Sequence, residues 1–173
     1  MTERPARPLL MGIVNVTPER FSDGGRFFAA EAAIAHALKL AEEGADWLDI
    51  GGESTRPGAA PVSVQEELDR VLPVFEALRA RIETPLSIDT MKPAVAQVAL
   101  AAGAALWNDV TGFRDPESLA MAAALKAPVA IMHMQGEPRT MQASPHYDDV
   151  VAEVGAFLET QANHLADAGV QEI

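Results

Sequence analysis

The sequence contains no cysteine, and this absence removes several kinds of site at once. Without thiols there is no disulfide framework, no thiolate nucleophile and no zinc site built from sulfur ligands. Positive charge is also scarce, since 13 lysine and arginine residues oppose 25 acidic residues and give a formal net charge of -12. A surface this acidic repels nucleic-acid backbones and anionic lipids, so we expect neither nucleic acid nor a membrane as a partner.

Long apolar runs are missing as well. No stretch of the 173 residues approaches the roughly 20 apolar residues of a membrane span, and no small-residue cleavage site follows the short apolar segment 9–14. We therefore expect a cytoplasmic protein. A chain of this length without a linker or low-complexity stretch is expected to form one domain, residues 1–173.

Short apolar runs alternate with longer helical segments along the chain. The predicted strands are 9–14, 47–50, 86–89, 106–109 and 129–132, with 170–173 as the start of a sixth. The predicted helices are 29–43, 63–82, 90–102, 115–125 and 148–168, with caps at Ser63, Thr90 and Asp115. A glycine suited to a left-handed C-cap separates helix from strand at Gly44, Gly103 and Gly169. Repeated β-α units of this kind predict a parallel sheet with helices outside it.

Two architectures produce such an alternation: a TIM (β/α)8 barrel and a doubly wound open sheet. The first strand is not followed by a G-x-G-x-x-G turn, which argues against a dinucleotide-binding open sheet. A complete barrel needs about 250 residues. Five β-α units and the start of a sixth strand therefore predict an incomplete barrel, truncated from a longer protein.

Polar side chains gather near the C-terminal ends of the predicted strands. Barrel enzymes hold their active sites at this rim, so an active site explains the whole set better than a series of unrelated helix caps does. A carboxylate such as Asp89 can accept two parallel hydrogen bonds from the edge of a planar heterocycle, and Asn108 offers both a donor and an acceptor. The residues concerned are Asn15, Asp49, Asp89, Asn108, Asp109 and His133.

Each of these residues also has a structural alternative. Asp89 could cap the following helix, although Thr90 is equally placed to do so. Asp109 should face away from Asn108 and is expected to be structural, as is Asp49. For His133 an acid-base role and a hydrogen-bonded core position both stay open.

Two long loops, residues 15–28 and 51–61, follow the first two strands. Loops of this length in compact domains are usually functional or disordered. In the second loop Arg56, flanked by Thr55 and Pro57, is a fixed cation suited to an anion, or else a solvated surface arginine. Asn15 is a neutral oxygen ligand that Mg²⁺ accepts beside phosphate oxygens and water, or else a turn residue. Spacing alone thus supports a rim site for a planar polar ring and an anion, with Mg²⁺ as an option.

Five segments resemble successive motifs of the dihydropteroate synthase family and occur in the family's order. They are MGIVNVTPERFSDGG, GADWLDIGGESTRPGA, PLSIDT, NDVTGF and IMHMQGEPRTMQ, and they extend from residue 11 to residue 142. The resemblance implies a (β/α)8 barrel and a folate-biosynthesis transferase that is the target of sulfonamides. Such an enzyme joins dihydropterin methyl pyrophosphate to p-aminobenzoate and releases dihydropteroate and pyrophosphate. The family uses Mg²⁺ and forms homodimers.

The resemblance also assigns roles to individual residues. It implies that Asn15 contacts Mg²⁺ and pyrophosphate, and that Asp89 and Asn108 hold the edge of the pterin ring. Together with Arg56, Asn15 and Asp89 are the implied catalytic residues.

Two loops would complete the substrate site. Thr55, Arg56 and Pro57 are expected to border the aminobenzoate and pyrophosphate region. Phe21 and Asp23 are expected in the loop that closes over the second substrate, with the ring of Phe21 on the benzoate.

The sequence departs from the family pattern in two ways. Glu19 and Arg20 replace an aspartate and a serine of the first loop, which bears on loop closure. The family's later motifs are absent, so we expect this chain alone to be inactive. The alternatives are a pterin-binding paralogue without catalysis, or another pterin-binding barrel such as a folate-corrinoid methyltransferase domain, which is not expected to keep both long rim loops.

Overall fold

A computed structural model describes residues 7–17, 25–54, 60–138 and 140–173, with 25–28 as backbone only. In this part of the chain five strands alternate with five helices. The strands are β1 (Met11–Asn15), β2 (Trp47–Gly51), β3 (Leu86–Asp89), β4 (Leu106–Asp109) and β5 (Val129–Ile131). The helices are α1 (Gly25–Glu42), α2 (Val64–Arg79), α3 (Pro93–Ala101), α4 (Pro116–Leu125) and α5 (Val150–Asp167).

The strands form one parallel sheet in the order β1-β2-β3-β4-β5. Every strand pairs with the next one along the chain, so the chain winds in a single direction. A doubly wound sheet reverses its strand order at a switch point, and this sheet does not. The predicted α/β class with barrel winding is confirmed, and the described strands make up part of a barrel.

The two faces of the sheet differ in what covers them. Leu48, Ile50 and Ile88 point toward the helices and are fully buried in one hydrophobic core. Alternate residues point to the other face, where Ile13 is 51% exposed and Met11 is 40% exposed. In a closed barrel this second face is the interior. We call it the open face, because five strands do not enclose it.

Two of the predicted helix caps are confirmed. The hydroxyl of Ser63 accepts the backbone N–H of Glu66 at 3.1 Å at the start of α2. The carboxylate of Asp115 accepts the N–H of Glu117 at 3.3 Å at the start of α4. The side chain of Glu66 accepts a hydrogen bond from Arg70 at 2.7 Å, one turn further along α2. Short side chains that accept the first free N–H groups thus fix where these helices begin.

The cap predicted at Thr90 is wrong. The α3 helix begins later, at Pro93, and its N-cap residue is Lys92. Thr90 Oγ1 accepts the N–H of Lys92 at 3.2 Å, in the turn before the helix. The ring of Pro93 has the backbone angle that the first helical position needs, which moves the start of the helix to this residue.

The glycines between helices and strands adopt the predicted left-handed conformation. Gly44, Gly103 and Gly169 have φ angles of 98°, 107° and 98°. Helices α1, α3 and α5 end just before them. These turns deliver each following segment back to the sheet.

The predicted sixth strand is not formed in residues 170–173. The N–H of Val129 donates to the carbonyl oxygen of Glu172 at 3.0 Å, so the segment lies beside the start of β5. One such hydrogen bond does not make a ladder, and no strand is assigned there. Among the described residues, no helix has both the length and the apolarity needed to cross a membrane. The single domain, residues 1–173, stays a prediction.

Candidate active site at the strand ends

One register row crosses all five strands at their C-terminal ends. Its successive partners are Asn15, Gly51, Asp89, Asn108 and Ala130. Side chains in one row point to the same face, and neighbouring strands lie about 4.8 Å apart. The structure therefore brings three of the predicted site residues into one line at one edge of the sheet.

Asn15 lies at one end of this row on the open face. Its neighbours Val14 and Val16 are buried in the core, at 0% and 1% exposure, while Asn15 itself is exposed. Gly51 stands next to it in the row and has no side chain. Two strand spacings, about 10 Å, thus separate the backbones of Asn15 and Asp89.

Asp89 is the half-buried carboxylate of the row. A Cβ atom placed on Gly51 would lie 3.3 Å from Asp89 Oδ2, so the carboxylate leans over β2. Burial, with the negative charges of Asp49, Glu67 and Asp109, raises the pKa of Asp89 to about 7. At neutral pH the group is divided between acid and carboxylate, and a ligand that donates N–H groups favours the ionised form.

Asp49 lies directly below the row and connects three strands. It is 2% exposed, and its Oδ2 accepts a hydrogen bond from Asn108 Nδ2 at 2.9 Å. Its other oxygen accepts the hydroxyl of Ser87. Burial raises the pKa of Asp49, and the two hydrogen bonds act against this rise. The structural role expected for Asp49 is thus tied to the site, because one of its partners is Asn108.

Asp109 and His133 lie away from the row. Asp109 is fully buried and accepts the N–H and hydroxyl of Thr111, both at 2.8 Å, and the N–H of Phe113 at 3.1 Å. These bonds close the turn after β4, in keeping with the structural role expected. The ring of His133 packs edge-to-face on Phe157 of α5, with 4.9 Å between ring centroids. The half-buried ring thus packs on α5, and the acid-base role and the hydrogen-bonded core position of His133 both stay open.

A buried ion cluster that the sequence pattern did not predict lies beneath the rim. Lys92 Nζ lies 2.5 Å from Glu67 Oε2 and also pairs with Glu53. The other oxygen of Glu53 accepts the N–H of Val62 at 3.3 Å. Burial acts to lower the pKa of Lys92, but the hydrogen bonds and charges of both glutamates outweigh it and raise the pKa. The cluster ties both ends of the second rim loop to α2 and to the segment after β3.

A signal for this cluster does exist in the sequence. Glu67 shares one helical face with Val71, Phe75 and Leu78, at spacings of four, eight and eleven residues. All four are fully buried. A carboxylate within a buried apolar stripe requires a charged partner, and Lys92 is that partner.

Several predicted site residues lie outside the described residues, and their roles stay predictions. Two belong to the first rim loop and three to the second: Phe21 and Asp23, and Thr55, Arg56 and Pro57. The same holds for Glu19 and Arg20, the two departures from the family pattern.

A metal ion would find few protein ligands at this site. No group of three or more histidine, cysteine or acidic residues within the described ranges could hold one. Asn15 offers a neutral, exposed oxygen ligand of a kind that Mg²⁺ accepts. The donor set therefore fits an ion that arrives with phosphate oxygens and keeps several waters.

Comparison with curated proteins finds extended similarity. The dihydropteroate synthase of Haemophilus influenzae is 49% identical over 165 residues, which cover 95% of this chain and 60% of that protein. The Escherichia coli enzyme of the same name is 48% identical over 95% of this chain and 58% of its own length. The chain thus spans about three-fifths of the length of these relatives.

Solved structures superpose closely on this chain. The dihydropteroate synthase of Xanthomonas albilineans with 4-aminobenzoic acid superposes with a TM-score of 0.86 at 56% identity, over 96% of this chain and 59% of that one. The Burkholderia cenocepacia enzyme complexed with 7,8-dihydropteroate gives 0.81 at 51% identity, over 96% and 56%. The Yersinia pestis enzyme in a sulfonamide drug complex gives 0.86 at 49% identity, over 95% and 60%. The family model described as pterin binding enzyme matches residues 11–173, and the chain belongs to that family.

Proposed function

We propose that the chain supplies the pterin-holding part of a dihydropteroate synthase. The observation that carries this proposal is the row in which Asp89 and Asn108 stand side by side on the open face, with the Asp89 carboxylate over the bare Cα of Gly51. The Xanthomonas albilineans relative holds 4-aminobenzoic acid, a substrate of this reaction, and the Burkholderia cenocepacia relative holds 7,8-dihydropteroate, its product, which supports the same reaction here. The names of the relatives favour this activity over that of a folate-corrinoid methyltransferase.

The chemistry of the row suits a pterin edge. A pterin carries N–H donors and ring acceptors along one side of a flat ring. The ionised carboxylate of Asp89 can accept two such donors, and the amide of Asn108 can both donate and accept. Two fixed groups on adjacent strands define the plane and the rotation of the ring.

The proposed reaction needs no protein nucleophile. The C–O bond between the pterin methyl carbon and pyrophosphate breaks, and pyrophosphate leaves with the electron pair. The positive charge left on carbon spreads into the dihydropterin ring, where ionised Asp89 stabilises it. The amine of p-aminobenzoate then forms the new C–N bond and loses one proton to solvent.

Charge on the departing pyrophosphate must be stabilised as well. Bound Mg²⁺ would supply positive charge to the pyrophosphate oxygens, and we propose Asn15 as its protein ligand. Arg56, supported by Thr55 and Pro57, would add a cationic donor. Phe21 and Asp23 would close over the aminobenzoate.

Three further expectations accompany the proposed activity. The Yersinia pestis relative forms a sulfonamide drug complex, and we propose that the complete site here is a sulfonamide target too. A cytoplasmic location and a homodimer stay predictions.

A chimera tests the proposal. Residues 1–173 are fused to the remaining length of the Escherichia coli relative, and pyrophosphate release is followed with both substrates and Mg²⁺. We expect release that depends on p-aminobenzoate, none from the 173-residue chain alone, and a drop of at least about 100-fold in kcat/KM for Asp89→Asn. A folded chimera that binds neither substrate contradicts the proposal, whereas pterin binding without turnover favours a non-catalytic paralogue.

A further inference from the structure

The amide of Asn108 is held from beneath by a carboxylate. Asn108 Nδ2 donates to Asp49 Oδ2 at 2.9 Å, and the Ser87 hydroxyl donates to Asp49 Oδ1. Asp49 is 2% exposed and Ser87 is fully buried, so water does not compete for these bonds. The contact joins β2, β3 and β4 just below the register row.

This arrangement allows the Asn108 amide only one orientation, with Nδ2 toward Asp49. Burial raises the pKa of Asp49, but the hydrogen bonds from Ser87 and Asn108 act against this rise and favour its ionised form. An ionised carboxylate accepts hydrogen bonds and donates none, whereas an amide donates through nitrogen and accepts through oxygen. If the Asn108 amide turned over, its Oδ1 would face Asp49 Oδ2, and two buried acceptors would meet without a proton between them. Ser87 also fixes the position of the carboxylate, because its hydroxyl donates to Asp49 Oδ1.

We infer that Asp49 is a positioning residue that decides which atoms of Asn108 face the ligand: the carbonyl Oδ1 and one N–H, rather than the amino group alone. The identity of that ligand, a pterin, rests on the proposed function. The arrangement itself does not, since its hydrogen bonds are all made within the chain.

The fixed amide has a consequence for ring selection. The row presents the Asp89 carboxylate beside one acceptor and one donor of Asn108. A planar ring fits when it places an N–H opposite Oδ1 and an acceptor opposite the remaining N–H. A ring with the reversed pattern would meet like groups, so Asp49 selects the bound edge without touching the ligand.

The first experiment examines the amide without any ligand. In ¹⁵N-labelled full 173-residue chain, the side-chain NH₂ signals of Asn108 are assigned by their loss in Asn108→Ala. We expect one of the two protons to be shifted downfield in the wild type. Asp49→Asn should abolish that shift, because an amide at position 49 can also donate to Oδ1 and lets Asn108 turn over. The matched control Asp46→Asn removes a carboxylate near the start of β2 and should leave the signals unchanged.

The second experiment measures the affinity for pterin by calorimetry. We expect Asp49→Asn to weaken binding by about 10- to 100-fold, as for a site whose polar partners are mismatched. Ser87→Ala keeps the charge of Asp49 and loses only its anchor, and should weaken binding by a few-fold. Circular dichroism shows whether Asp49→Asn folds. If it does not, Ser87→Ala provides the test in its place.

The outcomes separate this inference from the proposed function. The positioning role would be overturned if the Asn108 amide signals were unchanged in folded Asp49→Asn. If that variant does not fold, unchanged signals in Ser87→Ala would overturn it. A wild-type chain with a fixed amide that binds no pterin would count against the proposed function alone. If Asp49→Asn loses both the downfield shift of the Asn108 amide and affinity for pterin, the result supports the positioning role and the proposed function together.

Discussion

The carboxylate of Asp89 lies over the bare Cα of Gly51, its partner in the pairing of β2 and β3. A Cβ atom at Gly51 would come within 3.3 Å of Asp89 Oδ2 and within 3.5 Å of Asp89 Cβ. The absence of a side chain at one residue therefore sets the position of the proposed pterin-binding group on the next strand.

Gly51→Ala should displace that carboxylate by a few tenths of an ångström and weaken the binding of pterin. Small misplacements at a site reduce function strongly, so we expect a loss of about tenfold in affinity by calorimetry. Gly155→Ala is the control, since nothing lies within 4 Å of a Cβ at this exposed position in α5. That change should leave affinity unaltered and stabilise the fold by about 0.5–1 kcal/mol. Equal affinities in both variants would show that Gly51 does not position Asp89.

The raised pKa of Asp89 should make stability depend on pH. The folded pKa of about 7 lies above the ordinary value of 3.8, because burial and neighbouring carboxylates disfavour the charged form. The stabilisation is complete below pH 3.8 and is lost as pH rises through 7. We expect the free energy of unfolding to fall by on the order of 1–3 kcal/mol between pH 5 and pH 8, since water at the open face screens part of the effect.

Asp89→Asn removes the contribution of Asp89 to the pH dependence of stability and leaves those of the other titratable groups in place. Urea titrations at pH 5 and pH 8 should show a smaller pH dependence and a more stable protein at pH 8, because no charge is then buried. The same variant should lose pterin affinity. A pH dependence identical to that of the wild type would mean that Asp89 does not titrate in this range.

Lys92→Met should destabilise the fold by about 3–5 kcal/mol in urea denaturation. The change leaves Glu67, with 0% side-chain exposure, and Glu53, with 8%, buried without their cation. Lys39→Met is the matched control, because Lys39 near the end of α1 and Glu43 just after it form an exposed pair 3.7 Å apart. It should change stability by less than about 0.5 kcal/mol. Similar losses in the two variants would mean that the cluster contributes no more than a surface pair.

Asn15→Ala should weaken the joint binding of Mg²⁺ and pyrophosphate by about tenfold. The loss is modest because the variant removes one protein ligand from an ion that keeps several water ligands. Pterin affinity should be unchanged, because Asn15 lies two strands away from Asp89 in the register row. Calorimetry with Mg²⁺ and inorganic pyrophosphate measures the first quantity. Asn163→Ala, on the exposed surface of α5, provides the control. A parallel loss of pterin affinity would place Asn15 in a different role.

Local sequence predicted most of the elements correctly. Ser63 and Asp115 cap their helices as expected, since a cap depends on residues only two or three positions apart. The helix start predicted at Thr90 was wrong, because Pro93, three positions after this candidate cap, fixes the helix start more firmly.

The site was predicted less completely. The strand-end pattern identified Asn15, Asp89 and Asn108, whose common row follows from parallel pairing. It did not identify Ser87 or Lys92, because one polar residue within a strand or a turn has many equivalent explanations until its partner is known.

The sequence by itself determined the family, the order of strands and helices and the glycines that turn the chain, because motifs, caps and periodicity are properties of neighbouring residues. Only the tertiary structure decided which face stays open and which side chains meet beneath the rim. Asn108 reaches Asp49 across 59 residues of chain, and Lys92 reaches Glu67 across 25. Strand register and helix packing set such distant pairings, and no local pattern carries that information.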